Sequence, residues 1–216
     1  KEIRLQFTYS VIVPALNEET VIVPTLLKVR ELNPDAQIIV ADGGSTDETV
    51  IQAQNCGAEV VTSFTGRGIQ MNEGAKFATG DVLLFLHADT LFPDDAFDQI
   101  ENYFVNEANQ ICLFSLRFDV VHPVLGLYEK FSQFNTLFTN FGDQCICVRK
   151  DFFRKTGGFA QRMLFEDVEY LRRARAAAKI GVLPSSVITS ARKYVINGYI
   201  RQQIHNASLM LQYFLG

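Results

Sequence analysis

The chain predicts an α/β domain with a Rossmann-like, mostly parallel central sheet flanked by helices, and three observations carry that expectation. Short apolar runs, polar breaks and helical patterns alternate through the first half, as strand–helix–strand units require. The least ordinary polar residues follow directly on the ends of those runs, where ligands collect in parallel sheets. Hydrophobic residues make up 48% of the 216 and charged residues 20%, which is the composition of a packed core rather than of disorder.

Taken in order, the strands are expected at 11–14, 37–41, 59–62 and 82–86, with helices near 18–32, 47–55 and 68–79 between them. These connections suit right-handed crossovers. From about 111 the rhythm changes to an apolar stretch through Val121, a Phe-rich segment at 123–141, a short strand at 145–149 and a helix near 166–179. No repeat, low-complexity tract or Gly/Ser linker interrupts the chain, so 1–216 reads as a single domain. The final segment, 195–216, places Ile200, Ile204, Leu211 and Phe214 among polar residues as an amphipathic helix does. Such a helix covers the core, pairs with a second subunit as in a homodimer, or makes a peripheral contact with a membrane surface.

The formal net charge is −4, which gives no general attraction for nucleic acid. A phosphate-bearing ligand must then be held by local devices, a bound cation among them. Four cysteines without zinc-site spacing read as reduced thiols, Cys145 and Cys147 sharing one strand face as small hydrophobes. The first residues lack the apolar run of a signal peptide and no stretch is long enough to span a bilayer, so a cytoplasmic location is expected, with the inner membrane face open to the C-terminal segment.

Five segments carry chemistry. SVIVPALNEE at 10–19 is a strand ended by Pro14 and followed by Asn17, Glu18 and Glu19; by itself it is a helix start with Asn17 as cap. IIVADGGSTDET at 38–49 places Asp42 after a buried strand, to accept hydrogen bonds from a nucleobase or ribose, while Ser45 and Glu48 match a capping box. FTGRGIQMNEGAKFATGD at 64–81 sets Arg67 between two glycines at a helix start, facing base or phosphate, yet Met71 breaks the dinucleotide fingerprint and no Gly-Lys-Ser/Thr follows. In VLLFLHADT at 82–90, His87 and Asp89 lie two apart and address one point if the strand continues, a point that fits a divalent cation. FEDVEYLRRARAAAK at 165–179 opens a helix with Glu166 and Asp167; the helix dipole favours carboxylates there, and also an ionised general base.

In this order the five segments resemble family 2 glycosyltransferases, from about residue 9 to about 193. The wording LHADT, FGDQ and FEDVEYLRR is similar to the bacterial subgroup labelled as arsenosugar-biosynthesis-type glycosyltransferases. The resemblance implies a GT-A fold, a nucleotide-binding half at about 9–110 and an acceptor-binding half at about 111–193. It implies that Pro14, Ala15, Glu18, Asp42 and Arg67 hold the nucleoside of a nucleoside-diphosphate sugar, usually a uridine one. Asp89 ligates Mn2+ or Mg2+, and Asp167 is the catalytic base with Glu166 as its neighbour or an acceptor contact. Asp143 and Gln144 then lie near acceptor or donor sugar. The implied reaction is inverting transfer to an acceptor hydroxyl. One departure stands out: His87 occupies the first position of the family's usual Asp-x-Asp, so a carboxylate is missing. A nucleotidyltransferase on a similar platform is the rival enzyme, although its Lys-bearing phosphate loop near the first strand is absent; a catalytically silent nucleotide-sugar sensor is the rival binding module.

Overall fold

A computed structural model describes residues 6–136, 142–161 and 165–215, with side chains through 213. Expected sequence positions 137–141 and 162–164, including part of the Phe-rich segment, lie outside the described residues, as does the Phe214 side chain. The elements run β1 (Tyr9–Ala15), α1 (Ile22–Leu32), β2 (Gln37–Asp42), α2 (Thr49–Asn55), β3 (Glu59–Thr62), α3 (Arg67–Phe77), β4 (Val82–Phe85), β5 (Thr90–Leu91) and α4 (Ala96–Phe104). They continue with β6 (Ile111–Phe118), α5 (Pro123–Ser132), a 3-10 turn at Gly142–Gln144, β7 (Ile146–Arg149), α6 (Lys150–Lys155), α7 (Glu166–Ala177), β8 (Ile180–Thr189), α8 (Arg192–Asn197) and α9 (Tyr199–Leu215).

The strands form one sheet in the order β3-β2-β1-β4-β7-β6-β8-β5. β1, β2, β3 and β4 pair in parallel as their crossovers predict, and β6 pairs in parallel with β8. The antiparallel β7 is inserted between β4 and β6, and β5 runs antiparallel to β8. Both faces are covered, which is why β1, β2 and β4 read as unbroken apolar runs instead of alternating. Val11, Val13, Val40 and Leu84 point to the side packed by α1 and α4, through Leu26, Val29, Ile100 and Phe104. Ile12, Ile39, Leu83 and Phe85 point to the other side, under Met71, Phe153, Phe159 and Tyr170. Cys112, Cys145 and Cys147 are buried on the first side as free thiols, although Cys145 sits just ahead of β7 with φ 55 rather than within a strand.

Three local expectations need correction. Asn17 does not cap α1, which begins at Ile22 with Val21 before it; Asn17 has φ 55 and its Oδ1 accepts Thr46 N–H at 2.9 Å. Ser45 and Glu48 do not form a capping box: α2 starts at Thr49, Ser45 Oγ accepts Asn17 N–H at 2.9 Å, and Asp47 Oδ1 accepts Thr49 N–H at 3.0 Å. The polar residues of the two loops bind each other across the β1 and β2 ends, a long-range pairing that outcompetes the local caps. β4 also stops at Phe85, so His87 and Asp89 lie in the turn that follows it rather than on a strand.

β8 was hidden by Pro184. The register between β6 and β8 jumps from Phe114↔Leu183 to Ser115↔Ser186, so Pro184 and Ser185 bulge out of the ladder, where a residue without an N–H is tolerated. Gly80 shows how tightly β1 is backed: a Cβ there would lie 2.6 Å from Ser10 N and Tyr9 C. Because backbone cannot yield as a side chain tip does, Gly80→Ala is expected to cost about 2–3 kcal/mol. A thermal melt would show it as a lowered Tm; an unchanged Tm would mean that the loop ahead of β4 is free to move.

Candidate active site

The carboxyl ends of the parallel strands present two neighbouring regions. The first is the β1/β2 rim. Pro14 and Ala15 close β1, and Gln70 of α3, almost fully buried, donates from Nε2 to Ala15 O at 2.8 Å and Ala41 O at 2.9 Å, tying both strand ends to one helix. Asp42 is 6% exposed and its carboxylate accepts Gly44 N–H at 3.0 Å and Ser45 N–H at 3.1 Å, closing its own turn. Glu18 N–H donates to Thr49 Oγ1 at 2.8 Å, and its carboxylate pairs with Arg192 at 2.5 Å. Pro14, Ala15, Glu18 and Asp42 therefore share a rim, but none of them lines the cavity beside it.

That cavity, about 690 Å³, joins the groups singled out from both halves of the sequence: Arg67, His87, Asp89, Asp143 and Asp167 all border it. His87 and Asp89 reach it from the turn after β4, closed by Thr90 N–H donating to His87 O at 3.2 Å, while Ala88 between them is buried and its carbonyl accepts Thr25 Oγ1 at 2.8 Å. The convergence expected of a strand is thus produced by a turn. Burial, with Arg67 and Lys193 nearby, pushes His87 down to about 3, so the imidazole is neutral at ordinary pH.

Across the cavity stands the opening turn of α7. Asp167 Oδ2 accepts Gly142 N–H at 2.6 Å and Oδ1 accepts Val168 N–H at 2.8 Å, fixing the carboxylate at the cavity wall. Glu166 is 2% exposed and pairs with Arg67 at 3.3 Å. The two helix starts approach this closely because position 68 is glycine: a Cβ on Gly68 would lie 2.6 Å from Ala160 O and 2.9 Å from Glu166 Cβ. Burial and the neighbouring Asp167 raise the Glu166 pKa, against the pull of Arg67.

Asp143 borders the cavity as expected of a sugar-facing residue, but Gln144 does not. The Gln144 side chain is fully buried, and its Nε2 donates to Phe114 O at 3.0 Å and Ser132 O at 2.9 Å, so it anchors the 3-10 turn to β6 and α5. Burial first and Asp167 second push Asp143 up to about 7, opposed by Arg67 and by Tyr128 O–H at 3.4 Å. Since the folded pKa exceeds the ordinary carboxylate value of about 3.9, the stability it contributes is complete below that value and is lost as pH rises through about 7. Asp143→Asn is accordingly expected to gain Tm relative to the parent between pH 5 and pH 8; an equal Tm difference at both pH values would remove this ionisation from the fold's pH dependence.

Sequence reasoning missed the far wall. α8 contributes Lys193 and Tyr194, and α9 turns Gln202, Gln203, Asn206, Leu209 and Met210 inward. The amides are ordered by Tyr194, whose hydroxyl donates to Gln203 Oε1 at 3.2 Å and accepts Asn206 Nδ2–H at 3.1 Å. Ile200, Ile204 and Leu211, the apolar stripe seen in the sequence, face outward instead, each 59–67% exposed. Among the described residues no helix is long and apolar enough to cross a membrane. His205 also borders the cavity, whereas His122 caps α5 and stacks on Tyr199 at 3.7 Å. The signal available for the far wall was the run of Gln and Asn at helical spacing, which an exposed helix face explains equally well.

Known proteins resemble this chain in part of its sequence or in its fold. Residues of this chain are 35% identical over 101 positions to glucosyl-3-phosphoglycerate synthase of Mycolicibacterium smegmatis, covering 42% of this chain and 33% of the relative. The PGL/p-HBAD biosynthesis glycosyltransferase of Mycobacterium bovis is 39% identical over 89 residues, covering 38% of this chain and 35% of the relative. The chain thus spans about a third of the length of these curated relatives. Among solved structures, S. aureus TarS superposes with a TM-score of 0.69 at 21% identity, over 85% of this chain and 60% of that one. The mannosyltransferase PcManGT from Pyrobaculum calidifontis, in complex with GDP-Man and Mn2+, gives 0.69 at 16% identity, over 87% and 60%. At these identities the structural likeness shows the GT-A fold alone. The family model for glycosyl transferase family 2 matches residues 10–169, a span that takes in the β1/β2 rim, the turn bearing Asp89 and the first turn of α7, and the chain belongs to that family.

Proposed function

We propose that the chain moves a sugar from a nucleoside diphosphate, uridine being the base the resemblance favours, to an acceptor hydroxyl, with inversion at the anomeric carbon. The observation that carries this reading is the single cavity bordered by both Asp89 and Asp167, with the nucleoside rim of β1 and β2 beside it. Asp167 takes the proton of the acceptor hydroxyl as that oxygen attacks the anomeric carbon and the bond to the diphosphate breaks. Nucleoside diphosphate leaves, and no covalent sugar intermediate is required.

The donor set suits a hard divalent cation held in the Mg2+ manner, through one carboxylate, diphosphate oxygens and water. Asp89 faces the cavity, the neutral His87 is beside it, and among the described residues no group of three potential ligands forms a closed cage. Asp89, with His87 where the ion is Mn2+, would hold it, and the bound ion supplies charge neutralisation for the departing diphosphate. Solved relatives bound to UDP, and to Mg2+ with UDP, support the choice of ligands. The acceptor would enter along Tyr128, Phe131 and the inner face of α9.

The test is a product assay over a panel of nucleotide sugars and hydroxyl acceptors with Mn2+ or Mg2+. Release of free nucleoside diphosphate together with a glycosylated acceptor is the expected result. Pyrophosphate release would indicate nucleotidyl transfer, and calorimetric binding without donor consumption across the panel would indicate a sensor.

A further inference from the structure

We infer that Arg192 and Lys193 of α8 bind the donor's diphosphate, so that side-chain cations hold the leaving group alongside the ion at Asp89. This inference rests on the sugar-transfer reading and assigns to it two residues that lie beyond the span matched by the family model.

Three observations carry it. The first is charge. Asp89, Asp143 and Asp167 border the cavity, and of the basic side chains that also border it, Arg67 is engaged by Glu166. A diphosphate entering among carboxylates needs cations, and Lys193 borders the cavity with no hydrogen bond or ion pair among the described residues. The second is the position of Arg192. Its guanidinium lies 3.3 Å from Asp89 Oδ2 and 2.5 Å from Glu18 Oε2, bridging the proposed metal carboxylate and the nucleoside rim, where a diphosphate joining nucleoside to sugar must pass. A planar fork of N–H donors matches phosphate oxygens as well as carboxylate ones, so it can hold the rim in place and contact the ligand.

The third observation is rigidity. The start of α8 is fastened to the Asp89 turn by Ser190 N–H donating to Asp89 O at 3.2 Å, by pairing of Thr90 with Thr189, and by their hydroxyls at 2.9 Å. Cations on a helix start fastened to paired strands need little reorganisation to meet a developing charge. His87 brings no carboxylate to the cavity, and α8 brings positive charge to Asp89 and to the same cavity.

The experiment is calorimetry with UDP against uridine and GDP against guanosine, each with Mn2+ and with EDTA, on the parent chain and on Arg192→Gln, Arg192→Lys and Lys193→Gln. Removing a charge-assisted hydrogen bond is expected to weaken diphosphate binding by about 10- to 100-fold with and without metal; Lys193→Gln should leave nucleoside binding unchanged, whereas Arg192→Gln also frees Glu18 and should lower nucleoside affinity by less than diphosphate affinity. Arg192→Lys should recover part of the loss. Lys193→Gln, having no partner to release, guards against a loss caused by a loosened α8, and Tm values check that all variants fold. Diphosphate affinity within about twofold of the parent in both Gln variants, or an equal loss for nucleoside, would overturn the assignment. Failure of the parent to bind either nucleoside diphosphate would instead bring down the transfer reading itself.

Discussion

Asp167→Asn should lower kcat by about 10²–10⁴-fold while nucleoside-diphosphate affinity stays within about twofold of the parent. The amide has the shape of the carboxylate but cannot accept the acceptor's proton. Asp167 is held at the cavity wall by Gly142 N–H and Val168 N–H, and an amide can accept only one of them through its oxygen. A modest loss of stability is therefore expected as well, on the order of 1–2 kcal/mol, read as a lowered Tm. Turnover and stability are separable because kcat is read at temperatures well below the melt. Single-turnover kinetics at saturating donor would make the measurement; near-normal rates would strip Asp167 of the role of base and direct attention to Asp143 on the same wall.

For Asp89→Ala the expected outcome is a loss of at least about tenfold in nucleoside-diphosphate affinity with Mn2+ present, about 1.4 kcal/mol, and none under chelation. The carboxylate is the one acidic group on the turn after β4, and without it that turn offers an ion His87 beside the ligand's own oxygens. Under chelation the same change frees Arg192 from one of its two carboxylates, so diphosphate binding should hold steady or tighten. Calorimetric titrations in the two buffers decide it. An equal loss in both would show that Asp89 acts through the shape of the turn and not through a cation.

Much of the first half was legible because its signals are local. β1, β2 and β4 are buried on both faces, β3 is the sheet's edge, and all four follow one another by crossovers, so apolar runs and right-handed connection rules suffice to find and order them. What escaped was set by contacts distant in sequence. Asn17 and Ser45 look like helix caps, yet their hydrogen bonds run between two loops. Gln144 sits beside a cavity residue but faces the other way, since the 3-10 turn rotates neighbours apart. Arg192 gave no motif, and its meaning appears only when β8 returns α8 to the turn bearing Asp89.

α9 turns Gln202, Gln203 and Asn206, with Leu209 and Met210, toward the cavity and Ile200, Ile204 and Leu211 away from it. An apolar stripe is thereby left on the outside, and the two sides of one element answer to unrelated demands. Changes at Gln202, Gln203 or Asn206 would alter what the pocket admits, whereas changes at Ile200, Ile204 or Leu211 would alter how readily the molecule adheres to apolar surroundings. Selectivity and stickiness can consequently drift independently along the same seventeen-residue helix, each correctable without disturbing the other.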